Sequence, residues 1–140
     1  MPDFDALART LTDTLKLRQP PIAVCLSVAE TLPAGIAARA PRAAAGCVFW
    51  EKAGAGAFAT AAADHANCAI GTFTHNLDTT EAHEIDRRDA LRVFADLGYV
   101  RPQDIPAIPV LAVRPNHVVY APLASTPLPP DVVLLFVRPD

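Results

Sequence analysis

Gln19-Pro20-Pro21-Ile22-Ala23-Val24-Cys25-Leu26-Ser27-Val28 is the stretch from which the rest of the chain is placed. Two adjacent prolines stop any helix arriving from the N-terminal side. The run from Ile22 to Val28 is apolar, rich in β-branched residues and of strand length, which predicts a buried strand. Upstream, Phe4, Leu7, Ala8, Leu11 and Leu15 recur at intervals of three and four. That spacing predicts an amphipathic helix over 3–17. Downstream, Val110 to Val113, His117 to Ala121 and Val132 to Val137 read as three further strands. Many of the 14 prolines fall between Ile105 and Pro139, so extended segments and rigid turns are expected there rather than helix.

The middle of the chain mixes both element types. Residues 29–42 carry Pro33, Gly35 and Pro41 with no periodicity, and a loop with a helical turn is expected. Good helix formers from Ala43 to Lys52 surround Cys47, and Gly54-Ala55-Gly56 ends that helix before a possible strand from Ala57 to Ala62. Asp64-His65-Ala66-Asn67 reads as a turn in which Asp64 or Asn67 caps a helical turn at Cys68. Asp78 and Glu81 have the form of a capping box, with Ile85, Leu91, Phe94 and Leu97 continuing an apolar face to Gly98. The expected fold is α+β, a mixed sheet of about four to five short strands with about three to four helices. Residues 1–140 form one domain on length, or the N-terminal part of a longer one.

Composition narrows the function. Hydrophobic residues at 51% and charged residues at 19% suit a chain that buries a core. The net charge of −3 and the dispersal of the basic residues leave no electrostatic footprint for nucleic acid. No apolar run approaches the length of a membrane span. The opening Met-Pro-Asp-Phe-Asp lacks the basic and apolar stretches of a signal peptide, so a cytoplasmic, reducing setting is expected. Short strands that leave an open sheet edge point to a homo-oligomer.

The residues that could carry chemistry are Cys47, His65 and Cys68. Thiolate and imidazole are soft and borderline donors, suited to zinc, copper, another transition metal or an iron-sulfur cluster. His75 is a candidate fourth ligand, or that position is left open. The spacing matches no standard zinc finger. The plainer reading is that cysteine packs as a small hydrophobe, which fits Cys25 inside its apolar run. A redox reading also stays open, since a helix N-terminus favours the thiolate. Gly54-Ala55-Gly56 leaves a helix and enters a strand, opposite to the order of a phosphate loop. His83 stands among Glu81, Glu84 and Asp86, the pattern of a solvated helix face. His117 reads as a turn residue, and Trp50, three after Cys47, as core.

Leu15-Lys16-Leu17 with Pro21-Ile22-Ala23-Val24, Cys47-Val-Phe-Trp50 with Ala53 and Gly56, His65-Ala-Asn-Cys68-Ala-Ile-Gly71, Tyr120-Ala-Pro122-Leu123 and Pro130-Asp131-Val132-Val133 occur in this order. Together they resemble the domain-of-unknown-function 169 family, DUF169. The resemblance gives site priority to Cys47 and Cys68, where the family's recurring cysteines fall, and sets Cys25 apart. It implies no activity, and family members usually run on beyond the segment resembling 132–139. The leading expectation is binding of a metal, small molecule or redox cofactor through Cys47 and Cys68 with help from His65. The alternatives are a cysteine-dependent enzyme with Cys68 as nucleophile and His65 as base, or a ligand-binding or assembly module whose thiols are structural.

Overall fold

The computed structural model describes residues 2–32, 34, 36–38, 47–65, 68–77 and 80–138. In chain order the principal elements are α1 (Phe4–Leu15), β1 (Ile22–Ser27), β2 (Ala37–Ala38), α2 (Cys47–Ala53), β3 (Phe58–Thr60), α3 (Ala69–Thr74), α4 (Glu81–Asp96), β4 (His117–Pro122) and β5 (Val132–Leu134). Short 3-10 turns occupy Ala62–His65, Pro102–Ala107 and Leu123–Ser125. The strands form one sheet in the order β2-β3-β4-β1-β5, antiparallel except for the β2/β3 pair. The fold is α+β, as expected.

The β1 run lacks alternation because the sheet is covered on both faces. Ile22 and Val24 join Phe49, Phe58, Val118 and Tyr120 in one core cluster. Their neighbours Ala23 and Cys25 point the opposite way and pack with Ala8 of α1, Ala59, Val119 and Leu123. α1 thus lies on one face and α2 on the other. Asp3 caps α1 by accepting from the amide of Ala6, and Lys16 closes it in a left-handed conformation.

Several expectations change. Residues 110–113 form no strand: the Leu111 amide donates to Thr74 O, and the Asn76 side chain donates to the carbonyls of Leu111 and Val113. That segment's backbone is therefore committed to the end of α3 instead of a ladder. Within 29–42, Ala37–Ala38 make a two-residue parallel strand beside β3. Residues 43–46, Asn67 and Asp78 lie outside the described residues. Thr80 caps α4, its hydroxyl accepting from the His83 amide. Asp64 accepts from the Ala61 amide, and Cys68 stands at the N-cap position of α3 without a side-chain cap bond. Pro102–Ala107 is a 3-10 turn with proline at its start, where it is tolerated, and its end at Ile105–Ala107 falls among the rigid turns expected from Ile105 onward.

Candidate functional site

Pairing of β3 with β4 sets Phe58 opposite Tyr120 and Thr60 opposite Val118. With a period of two, all four side chains face α2. Phe49 descends from α2 onto this surface, its ring 6.1 Å from Phe58, 5.6 Å from Tyr120 and 4.9 Å from His65 between centroids. Phe58 and Tyr120 stack at 5.5 Å. These rings form a rigid floor beneath the segment that carries the predicted site residues.

His65 ends its 3-10 turn buried, and its Nε2 lies 2.9 Å from the hydroxyl of Thr60. The same hydroxyl lies 3.3 Å from Val118 O, to which it donates. Burial first, with neighbouring His75 and His83 acting in the same direction, lowers the His65 pKa to about 4 against an opposing pull from Asp64. The imidazole is therefore neutral at pH 7, the form in which a histidine can ligate. Tyr120 is held well above the ordinary tyrosine value, first by burial and then by the neighbouring Cys68, while a hydrogen bond with Thr60 pulls the other way.

The Cys68 amide donates to His65 O at 2.8 Å, which turns the chain into α3. Its thiol is half-buried. Gly71 lies one turn on, where an added Cβ would come within 2.6 Å of Sγ. Glycine at 71 is what leaves the sulfur its place. His75 closes the helix, its Nδ1 2.8 Å from Gly71 O. A carbonyl only accepts, so Nδ1 carries the proton and the neutral ring leaves Nε2 as a lone pair. A histidine fixed in this way has the orientation and tautomer of a typical ligand histidine.

Cys68, His65 and His75 all open on one cavity of about 680 Å³, walled by Trp50, Phe94 and Tyr120 and by the small residues Ala69, Gly71 and Ala90, with Asp86 on the α4 side. Its volume lies in the range of small-molecule sites. The structure thus brings together two of the three predicted residues and the candidate His75. Cys47 is the first residue of α2, three before Trp50. Trp50 is not core: it is exposed and lines the cavity, while Phe49 beside it is buried. His83 is not on a solvated face, since it is buried with Nδ1 unpartnered. Cys25 is buried beside Thr126 and Leu128, as expected. The sequence reading missed Thr60, Asp86 and Phe94. The glycine three residues after Cys68 was the visible signal for a tightly placed sulfur.

The family model described as DUF169, Uncharacterised ArCR, matches residues 10–140. No curated protein and no solved structure matches the chain.

Proposed function

The chain belongs to the DUF169 family, and from that premise we propose that it binds a cofactor of molecular size in the cavity above Tyr120, held by Cys68 and His75. The observation that carries the reading is the opening of Cys68, His65 and His75 on a single, mostly apolar cavity. Among the described residues no three His, Cys, Asp or Glu side chains converge as a bare ion requires. Donors spread around a cavity of this size suit a molecule, or a metal or cluster carried within a larger group. The start of α2 at Cys47, one turn before Trp50, keeps that cysteine in the proposal as a second sulfur.

A nucleophilic thiol is less well supported. Nε2 of His65 is engaged by Thr60, and Nδ1 of His75 by Gly71. Among the described residues no hydrogen bond joins Cys68 Sγ to either imidazole, the contact a general base for the thiol would make.

The proposal extends to setting and assembly. Cys25 and Cys68 stand as free thiols, which supports a reducing, cytoplasmic location. Among the described residues β5 pairs only with β1, and its outer edge supports self-association, which light scattering across a concentration series would measure. No helix among the described residues is long and apolar enough to cross a membrane.

The test is anaerobic purification followed by an absorption spectrum, elemental analysis and mass spectrometry of released small molecules. Wild type and Cys25→Ser should carry the same group. Cys68→Ser should lose it, because a hydroxyl donates poorly where a thiolate binds. A folded wild type that releases nothing and takes up no apolar dye in the cavity would refute the proposal.

A further inference from the structure

We propose that the ligand of this cavity is an elongated organic cation, an inference that rests on the reading of the cavity as a binding site. The wall contributed by α4 is a stripe of Asp86, Ala90 and Phe94. Residues four apart share one helical face, and at a rise of about 1.5 Å per residue the backbone positions of Asp86 and Phe94 are separated by about 12 Å along the axis. Ala90 between them leaves the space a ligand fills. One end of the stripe is anionic and the other is aromatic.

The remaining polar groups select in the same direction. His75 presents Nε2 as an acceptor, because Nδ1–H is committed to Gly71 O. Asp86 forms no ion pair among the described residues. Among the described residues no lysine or arginine lines the cavity. The nearby Arg87, Arg88 and Arg92 line a separate groove with Ile105, and Arg87 lies over the Phe73 ring while pairing with Glu84. A ligand in the cavity therefore meets a carboxylate, a lone-pair acceptor and the rings of Trp50, Phe94 and Tyr120. These groups favour positive charge and N–H donors, through both hydrogen bonding and ring quadrupoles. A phosphate or carboxylate would bring its charge against Asp86, with no lysine or arginine among the described lining residues to answer it.

Fluorescence titration of the full chain with three probes tests this: proflavine, a planar diaminoacridinium cation; 8-anilinonaphthalene-1-sulfonate, an anion of similar size; and Nile red, which is neutral. Proflavine should bind more tightly than the sulfonate. Asp86→Asn should weaken proflavine roughly fivefold, the worth of one partly exposed charge pair, and leave Nile red unchanged. Trp50→Ala should weaken both proflavine and Nile red. If Nile red binds and responds to Trp50→Ala but the sulfonate binds as tightly as proflavine, or Asp86→Asn has no effect, the charge assignment is overturned and the cavity reading stands. If none of the three binds, both fall.

Discussion

A Cβ placed on Gly71 would lie 2.6 Å from Sγ of Cys68, so the sulfur occupies the space that any other residue at 71 would claim. Carbon and sulfur cannot approach so closely, and the thiol would have to rotate away. Alanine is the better helix former by about 1 kcal/mol, which offsets part of the strain. Gly71→Ala should therefore keep its circular dichroism spectrum and melt within a few degrees of wild type while losing severalfold in cofactor occupancy. Equal occupancy in the folded variant would show that the sulfur's position is unimportant.

The two described thiols should react differently with iodoacetamide. Cys68 is half-buried and opens on the cavity, whereas Cys25 is buried beside Thr126 and Leu128. Burial also raises the Cys25 pKa, with Asp131 adding to it and the Thr126 hydrogen bond opposing it, so its thiolate is scarce. Peptide mapping of native protein at pH 8 should find Cys68 alkylated and Cys25 modified only after unfolding. The reverse order would contradict the placement of both.

How much of this could be read from residues alone differs from element to element. The run at Ile22 was legible because burial on both faces removes alternation and leaves an unbroken apolar string. The inward face of α4 was not. Ile85, Leu91, Phe94 and Leu97 looked like its core stripe, yet of these Leu91 alone is buried, and the other buried residue of the helix is His83. Part of that helix packs on α3 and part lines a cavity, so hydrophobicity does not mark burial along it. The extended segment after Pro109 resembled a strand because its composition is that of one. Its hydrogen bonds go to Thr74 and Asn76, partners that no local pattern discloses. Cys68 and His65 were legible as a pair because the chain turns between them. Asp86 and Phe94 reach the same cavity only through the packing of α4.

Acid should destabilise the fold through His65. Its pKa is about 4 when folded, against an ordinary value of 6.5, so the unfolded chain binds the proton more readily. The stability that neutral His65 secures is complete above about pH 6.5 and is lost as pH falls from there to about 4. The shift corresponds to about 3 kcal/mol. Urea denaturation from pH 7.5 to 4 should show this decline, and His65→Gln should flatten it. An identical slope in the variant would assign the acid sensitivity elsewhere.

Thr60 makes the strongest claim on the floor of the site. Its one hydroxyl proton is donated at 3.3 Å to Val118 O, while its oxygen meets Nε2 of His65 at 2.9 Å. Thr60→Val keeps the shape and β propensity of the side chain but strips out that hub. Buried polar groups on β4 and on the His65 turn would lose a partner, at a cost of about 1–3 kcal/mol. Thr60→Ser keeps the hydroxyl and removes one methyl, so it should cost about 1 kcal/mol. His65 should also lose its fixed orientation in the valine variant, which would weaken proflavine and Nile red together. Denaturant midpoints and dye titrations on the two variants separate the hydroxyl from the methyl. If valine is tolerated as well as serine, the hydroxyl holds neither His65 nor the cavity floor in place.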